Sequence, residues 1–230
     1  MNHNTMTTNS NILSSLRTKL ALQEFRNDTV EIQGAHFLVT DDEIVPNTKN
    51  EDYITAEIEW YERGDRRVST LFDIYGQEVK IWKNIADADG LVNSNYGWCI
   101  YSKERGFQYA AAYDALRKNQ FSRQAVMYYT VPEMHEIAGR DHTCTYAVQY
   151  FLNFENDLFS RGYLDAHVFM RSNDAIYGFN NDYAWQRHVL AKLASDLNVL
   201  QGDIYWNAGS MHVYNRHYDK LRGDQLEMDV

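Results

Sequence analysis

Two stretches of the chain decide its fold: Arg171-Ser-Asn-Asp-Ala-Ile-Tyr-Gly178 and Gly202-Asp-Ile-Tyr-Trp-Asn-Ala-Gly-Ser-Met-His212-Val-Tyr214-Asn-Arg-His217. The first groups a guanidinium, a hydroxyl and a carboxylate within four residues, directly after an apolar segment. The second begins as a β-rich segment, and His212 and Tyr214 stand two residues apart. On an extended chain both of these side chains point to one face. The two stretches therefore place strands beside chemically active polar groups.

Hydrophobic periodicity outward from these stretches predicts helices and strands that interleave in no strict βαβ order. The expected helices cover residues 12–22, 51–63, 105–118 and 181–197, with Asn11 as the first cap and Gly64 as a C-terminal stop. The expected strands cover residues 30–39, 124–130, 146–154, 163–171 and 203–206. We therefore predict an α+β fold, one sheet with helices packed on one side, formed as a single domain over residues 1–230. Residues 1–11 are polar and are expected to be frayed.

The composition narrows the class of function. The chain has 230 residues, 44% of them hydrophobic, which suffices for one globular core. Its 22 basic and 32 acidic residues give a formal charge of −10. This argues against nucleic-acid binding, which depends on neutralising many phosphates, but is compatible with one phosphate monoester held by a few arginines. The eight histidines show no tight metal-ligand spacing, so we expect no metal.

The cysteines and the N-terminus predict the compartment. Cys99 and Cys144 make no disulfide framework and indicate a reducing cytosol. The N-terminus lacks the basic and apolar regions of a signal peptide, and no apolar run approaches ~18 residues. We therefore expect a cytoplasmic protein without membrane contact, located in the host cytoplasm if the chain is viral.

Both stretches resemble motifs of the thymidylate synthases and their pyrimidine-hydroxymethylating relatives. Residues 171–178 are similar to the family's RSxDxxxG, residues 202–217 are similar to its GDxxWxxGxxHxYxNH, and the offset between them matches without a gap. The resemblance spans residues 26–217 and is strong after residue 140. Further landmarks stand in family order at Glu57, Trp60, Gly64, Trp82, Tyr96, Gly97, Ser122, Arg123, Cys144 and Gln149. The resemblance implies a thymidylate synthase-like mixed sheet and a homodimer formed through that sheet, with a shared active site.

Cys144 is the nucleophile that the resemblance implies. Addition of its thiolate to C6 of a pyrimidine nucleotide makes C5 an enolate-like carbon, so one difficult step becomes several easier ones. Arg171, with Arg123 reaching across from a second subunit, would lower the pKa of the thiol. The same arginines and Ser172 would bind the 5′-phosphate. Taken alone, Cys144 would be interpreted as a buried structural thiol.

The resemblance also assigns the remaining site residues. Glu57 would organise water and proton transfer, and 5,10-methylenetetrahydrofolate would be the cosubstrate. His212 and Tyr214 would bond the sugar 3′-hydroxyl. Further nucleotide contacts would come from Arg26, Gln149 and Asp174, and the folate contacts from Trp82, Asp174 and Gly178. Structural interpretations stay open for several residues: a solvated helix position for Glu57, core packing for Trp82, Tyr96 and His212, and a surface charge for Arg26.

Asp182 is the first departure from thymidylate synthases, because it falls where the family has a base-reading Asn. Asn pairs with N3–H and O4 of uracil. A protonated Asp accepts from N4 of cytosine and donates to its N3, and an ionised one accepts from N4 and from a protonated N3. Asp182 therefore favours dCMP, as in the bacteriophage hydroxymethylase branch of the family. A rival alignment with a two-residue deletion would make Asn180 the base reader.

Two further departures concern Thr145 and the end of the chain. Thr145 stands where thymidylate synthases have His, and the chain ends 18 residues after His212, whereas thymidylate synthases continue into a tail that closes over the folate. Without such a lid, water is the expected nucleophile at the exocyclic methylene, and the product is a hydroxymethyl group. An insertion that includes Glu155–Arg161 is expected to form a hairpin turn without an assigned role.

We therefore expect an enzyme that transfers a one-carbon unit from 5,10-methylenetetrahydrofolate to C5 of dCMP, with Cys144, Glu57 and Asp182 as its catalytic residues. One alternative is a thymidylate synthase or a dUMP hydroxymethylase, which would act on dUMP and not on dCMP. Another is an inactive structural homologue in a nucleotide-synthesis complex, which would turn over no pyrimidine monophosphate.

Overall fold

The computed structural model describes residues 6–131, 141–154 and 161–223. The helices in these residues are α1 (Asn9–Ala21), α2 (Glu51–Arg63), α3 (Val68–Tyr75), α4 (Lys80–Ile85), α5 (Tyr96–Tyr101), α6 (Gln108–Lys118), α7 (Gly178–Asp196) and α8 (Tyr218–Arg222). The strands are β1 (Phe25–Arg26), β2 (Thr29–Leu38), β3 (Val126–Tyr128), β4 (Thr145–Asn153), β5 (Tyr163–Met170), β6 (Asn173–Asp174) and β7 (Leu200–Tyr214). A 3-10 turn, Asn215–His217, joins β7 to α8.

The strands form one mixed sheet. Its order is β1-β2-β7-β5-β4-β3, with the short β6 also paired to β7. Strand β7 runs parallel to β5 and β6 and antiparallel to β2, and the remaining neighbours are antiparallel. The connection from β5 to the parallel β7 passes through α7, as a parallel crossover requires. The expected α+β fold with a mixed sheet is confirmed.

Alternate strand residues divide the sheet into two faces. On one face Phe37, Val168 and Trp206 are fully buried, and the Trp206 ring lies 5.2 Å from that of Phe179 in α7. This face carries the core. The opposite face, here called the open face, consists of His36, Tyr128, Ala147, Gln149, Phe151, His167, Phe169, Tyr205 and Asn207. Tyr128 is 55% exposed and Phe169 is 37% exposed, so large aromatic surface on the open face remains in contact with solvent.

The N-terminal helix begins earlier than the sequence suggested. Helix α1 starts at Asn9, whose buried side chain donates to the carbonyls of Asp41 (2.8 Å) and Glu43 (3.0 Å). Thr8 precedes the first turn, and its backbone N–H donates to the side chain of Asn11 at 2.9 Å. The expectations of a frayed segment through residue 11 and of an Asn11 cap were therefore wrong, while residues 1–5 lie outside the described part of the chain.

The ends of several other elements also differ from the predictions. Strand β7 continues to Tyr214 rather than residue 206, since β2 pairs with it along most of its length. Helix α7 begins at Gly178 rather than residue 181, and α6 begins at Gln108. The turn expected in the insertion falls on residues 155–160, which lie outside the described part of the chain. Within the described ranges no helix is both long and apolar enough to cross a membrane.

Helices α2 and α5 meet at unusually close range. At the start of α2 the side chain of Asn50 accepts from the Tyr53 N–H at 3.1 Å, and Gly64 ends the helix with φ of 59°, as predicted. Gly97 in α5 lies directly against the Tyr61 carbonyl of α2. Only a residue without Cβ permits this approach. The contact brings Tyr96 against Tyr61, with ring centroids 5.3 Å apart.

We predict that Gly97→Ala destabilises the protein by ~3 kcal/mol or more, because the added Cβ overlaps the Tyr61 carbonyl and must push two helices apart. The matched control is Gly90→Ala. Gly90 has φ of 74° with open space around its Cβ position, so only the left-handed backbone is strained, at about 1–2 kcal/mol. Urea unfolding measures both variants, and equal losses would contradict the close-contact explanation.

Candidate active site

A cavity of about 530 Å³ opens where β5, β6 and β7 end. Its volume is typical of sites for small molecules. Ten predicted site residues line it: Glu57, Trp82, Cys144, Arg171, Ser172, Asp174, Gly178, Asp182, His212 and Tyr214. They come from α2, α4, α7, β6 and β7 and from the segments that flank β4 and β5. Residues far apart in the chain therefore meet in one site.

Cys144 and Arg171 are held together by backbone and side chain. Cys144 immediately precedes β4 and Arg171 immediately follows β5, and the Arg171 N–H donates to the Cys144 carbonyl at 2.9 Å. The Arg171 guanidinium donates to the carbonyls of Thr143 (3.0 Å) and His142 (2.8 Å) and reaches the Cys144 Sγ at 3.5 Å. These bonds fix the guanidinium beside the thiol.

Charges of both signs act on the Cys144 thiol. Burial and the nearby Asp182 carboxylate raise its pKa to about 11, although Arg171 lowers it. The thiol is thus mainly protonated in the free chain at neutral pH, and a further cation would favour the thiolate. The other cysteine, Cys99, is fully buried, and burial raises its pKa to about 12. Of the two thiols, Cys144 is the one that faces the cavity.

Asp182 is enclosed by neutral hydrogen-bond donors. Its Oδ2 accepts from Asn173 Nδ2 at 2.7 Å, and it also bonds to the Tyr96 hydroxyl. That hydroxyl in turn lies 3.1 Å from Thr145 Oγ1, the residue that replaces the family His. Burial, with the negative charge of Glu57, raises the pKa of Asp182 to about 8, so its carboxyl is mostly protonated at neutral pH.

Glu57 is a second carboxyl in the same cavity, and it is buried. It is 5% exposed, which excludes a solvated helix position. Its Oε1 accepts from the Tyr53 hydroxyl at 2.5 Å and from Trp82 Nε1 at 3.2 Å. Burial raises its pKa to about 7, while the two donors act in the opposite direction. A carboxyl with such a pKa can accept or release a proton near neutral pH.

His212 and Ser172 form a polar wall beside Arg171. His212 Nδ1 lies 3.5 Å from Ser172 Oγ and 3.4 Å from Ser210 Oγ. The His212 ring meets Tyr214 edge-on at 4.9 Å, and both face the cavity as predicted from their spacing. His212 is therefore a cavity residue rather than a core histidine.

Asp174 and Gly178 shape the start of α7. Asp174 accepts from the backbone N–H groups of Ile176 (3.1 Å) and Tyr177 (3.4 Å), which orders the turn into the helix. A Cβ at Gly178 would lie 3.3 Å from the Asp174 Cβ and 3.4 Å from Asn173 Nδ2. The glycine thus allows the helix to start close to β6.

Arg26, Arg123 and Gln149 do not line the cavity. Arg26 is exposed in β1 and pairs with Glu31 at 3.4 Å, as a surface charge would. Arg123 is also exposed, and its carbonyl accepts from Gln149 Nε2 at 2.9 Å. Gln149 lies on the open face of the sheet. A single chain therefore brings neither Arg26 nor Arg123 to Cys144.

A family model for thymidylate synthase matches residues 32–229. The chain belongs to the thymidylate synthase family. Deoxycytidylate 5-hydroxymethyltransferase of Enterobacteria phage T4 is 41% identical over 203 residues, covering 83% of this chain and 77% of that protein. A thymidylate synthase of Corynebacterium aurimucosum is 30% identical over 178 residues, covering 74% and 61%. The solved thermostable thymidylate synthase A from Bacillus subtilis shares the fold, with a TM-score of 0.69 at 20% identity over 94% of this chain and 83% of that one.

Several cavity residues of this thymidylate synthase family member escaped the sequence analysis. Tyr53 bonds to the carboxyl of Glu57, and Asn173 bonds to that of Asp182. Arg216 stacks on Tyr214, with its guanidinium carbon 4.2 Å from the ring centroid. Arg216 departs from the Asn in the family's HxYxNH pattern, and this departure was the available signal. Asn173 carried none, because its bond to Asp182 joins β6 to α7. The four-residue spacing of Tyr53 and Glu57 in α2 did not by itself show that the pair faces a cavity.

Among the described residues no group of three or more His, Cys, Asp or Glu lies close enough to hold a metal ion. The cavity instead offers a thiol, two carboxyls with raised pKa values and a guanidinium. These groups suit nucleophilic addition with proton transfer.

We predict that iodoacetamide alkylates Cys144 and leaves the buried Cys99 unmodified in the native protein. Asp182→Asn should accelerate alkylation of Cys144 several-fold at about pH 9.5, where the Asp182 carboxyl is ionised and opposes the thiolate. At about pH 6 that carboxyl is protonated, so the rates should be equal. Peptide mapping by mass spectrometry measures both rates. The same ratio at both pH values would mean that the Asp182 charge does not govern the thiol.

Proposed function

We propose that this protein transfers a one-carbon unit from 5,10-methylenetetrahydrofolate to C5 of dCMP and releases 5-hydroxymethyl-dCMP. The observation that carries the proposal is Asp182, a half-buried carboxyl with a pKa raised to about 8 that faces the same cavity as Cys144. Enzymes of the thymidylate synthase family act on a nucleotide monophosphate with this folate. The 41% identity to a protein named deoxycytidylate 5-hydroxymethyltransferase supports the finer assignment.

The hydrogen-bonding capacity of Asp182 matches cytosine. A protonated carboxyl offers one donor and one acceptor, and cytosine presents an acceptor at N3 and a donor at N4. Burial and the Glu57 charge favour the protonated form of Asp182 at neutral pH. Uracil presents a donor at N3 and an acceptor at O4, which an asparagine can match as acceptor and donor.

The rival base reader, Asn180, is directed elsewhere. Asn180 is buried, and its Nδ2 donates to Thr48 Oγ1 and to the Ile176 carbonyl, each at 3.0 Å. It does not line the cavity, although its neighbour Asn181 does. This arrangement favours Asp182 as the base reader and weakens the alternative that depends on Asn180.

The covalent step uses Cys144. Its thiolate forms a bond to C6, and the electron pair of the C5–C6 double bond becomes available at C5 for attack on the one-carbon unit. C5 then loses its proton, tetrahydrofolate departs, water adds to the exocyclic carbon, and loss of the thiolate restores the double bond. Glu57 is placed to exchange protons, because its pKa is raised to about 7.

The apolar part of the cavity supports a flat cosubstrate. Ile81 and Ile85 of α4, together with Trp82 and Tyr177, line the wall next to Gly178. Ile81 is 61% exposed and Tyr177 is 39% exposed, so apolar surface is available for an aromatic ring system. Reduced folate has such a ring system, and it supplies the transferred carbon when bound.

We predict that Asp182→Asn shifts preference from dCMP towards dUMP by roughly one to two orders of magnitude in the ratio of kcat/KM values. The wrong base leaves buried polar groups unpaired, at about 1–3 kcal/mol for each group. Steady-state kinetics with both nucleotides, and the product mass for each, measure the effect. The assignment of Asp182 would be overturned by a wild-type preference for dUMP, or by a ratio that Asp182→Asn leaves unchanged. If neither nucleotide is turned over, the inactive homologue is favoured.

We also propose that two copies of the chain pair through the open face and share their active sites. The open face exposes Tyr128 and Phe169, and stacks His167 on Tyr205 at 4.6 Å, which makes an extended aromatic surface. Arg123 lies beside this surface, where Gln149 bonds its carbonyl. Among the described residues of one chain, Arg171 is the guanidinium that contacts the Cys144 thiol, while Arg216 lines the same cavity over Tyr214. A phosphate binds more tightly with more than one guanidinium. A second copy on the open face can supply Arg123.

A complementation experiment tests the shared site. Cys144→Ala and Arg123→Ala chains should each be inactive or severely impaired as homodimers. Mixed after subunit exchange, they should recover up to about one quarter of wild-type activity, because half of the dimers are hybrids and each hybrid has one intact site. Exchange is verified by native mass spectrometry. Verified hybrids without recovered activity would refute the shared site.

A further inference from the structure

Tyr53 contacts the buried carboxyl of Glu57 from one helical turn away. The two residues are four apart in α2, so their side chains lie on the same face. The Tyr53 hydroxyl donates to Glu57 Oε1 at 2.5 Å, and Trp82 Nε1 donates to the Tyr53 oxygen at 2.7 Å. All three residues line the cavity, and Tyr53 does not belong to the family motifs quoted above.

The protons available on Tyr53 and Trp82 decide the direction of each hydrogen bond to Glu57. A phenol has one O–H, and Tyr53 receives a hydrogen bond from Trp82, so its own proton goes to Glu57. Trp82 Nε1 also reaches Glu57 Oε1, at 3.2 Å. In the described part of the chain, both donors bond to Oε1 of Glu57. Oε2 is therefore the oxygen that can bond to a molecule in the cavity.

The Tyr53 ring is itself firmly placed. It meets Tyr75 of α3 edge-on, with centroids 5.2 Å apart and planes at 74°. The Asn50 side chain accepts from the Tyr53 N–H at 3.1 Å and donates to the Tyr75 hydroxyl at 3.1 Å. The N-terminal cap of α2 therefore also orders the two tyrosines, and the hydroxyl of Tyr53 has little freedom to leave Glu57.

We propose that Tyr53 is a positioning residue, which holds Glu57 with Oε2 towards the substrate and keeps its carboxylate ionised, ready to take a proton. This inference rests on the proposed function only for the identity of the substrate. The hydrogen bond from Tyr53 favours the charged form of Glu57, because a charge-assisted bond is stronger than a neutral one. It therefore lowers the pKa of Glu57 against the effect of burial.

Several other titratable groups face Glu57 or act on it through charge. Tyr61 is its neighbour on α2, and Asp182 approaches from α7. Tyr96 of α5 and Cys144 before β4 also line the cavity. None of these donates the hydrogen bonds to Glu57 that Tyr53 and Trp82 provide, and the charge of Glu57 raises the pKa of Asp182. Removing the Tyr53 hydroxyl therefore leaves the effect of burial on the Glu57 pKa less opposed.

The test removes a single hydroxyl group. Tyr53→Phe keeps the ring and removes the hydroxyl, so the pKa of Glu57 should rise by about one pH unit. The acid limb of the kcat/KM profile should move upward by the same amount, with about a tenfold loss well below that limb and little change in the KM for nucleotide. The matched control is Tyr75→Phe, which removes the hydroxyl of the adjacent tyrosine that does not contact Glu57 and should leave the profile unchanged.

A second readout does not depend on turnover. The infrared band of the protonated carboxyl group is titrated with pH in the free protein, and the band that disappears in Glu57→Gln identifies Glu57. Its midpoint should rise in Tyr53→Phe and, by less, in Trp82→Phe, and stay constant in Tyr75→Phe. An unchanged midpoint in Tyr53→Phe, or an equal shift in Tyr75→Phe, overturns the inference. If no nucleotide is turned over, the proposed function fails, while the infrared titration still decides the role of Tyr53.

Discussion

Two carboxyl groups that face one cavity, those of Glu57 and Asp182, impose the constraint around which this active site is organised. Each loses hydration on burial, and the charge of Glu57 raises the pKa of Asp182 further. The chain surrounds them with neutral donors, Tyr53 and Trp82 for one and Asn173 and Tyr96 for the other. With neutral donors as partners, the pKa values are about 7 for Glu57 and about 8 for Asp182. Cationic partners would instead keep both carboxyls ionised. Both groups can therefore change protonation state near neutral pH.

The same arrangement explains why the Cys144 thiol is protonated in the free chain at neutral pH. The Asp182 carboxylate opposes ionisation of Cys144, and Arg171 favours it. A bound pyrimidine that pairs with a protonated Asp182 would suppress the opposing charge, so correct base recognition and thiol activation would act in the same direction. Burial alone cannot provide this coupling. It requires a base-reading group that is both titratable and close to the sulfur.

The sheet is the scaffold that brings these groups together. Strand β7 lies between β2 and β5 and also pairs with β6, so its end places His212 beside Asp174 and the segment that carries Arg171. Helix α7 starts at Gly178 and presents Asp182 to the cavity while Phe179 packs on Trp206 in the core. Core packing and site geometry thus depend on the same helix. The close contact of Gly97 with Tyr61 has the corresponding role for Tyr96.

The sequence by itself determined the fold class, the family and ten residues that line the cavity, because motifs such as Arg171–Gly178 keep chemical groups at fixed spacing along a strand and a helix start. Strand parity was enough to put His212 and Tyr214 on one face. Only the tertiary structure decided that Tyr53 and Asn173 hold the two carboxyls, that Asn180 turns away from the cavity, and that Arg26 and Arg123 lie outside it in one chain. The physical reason is that burial, and the pKa values that follow from it, come from contacts between α2, α4, β6 and α7, elements that are distant along the chain. Even the helical spacing of Tyr53 and Glu57 does not show which face of α2 meets the cavity.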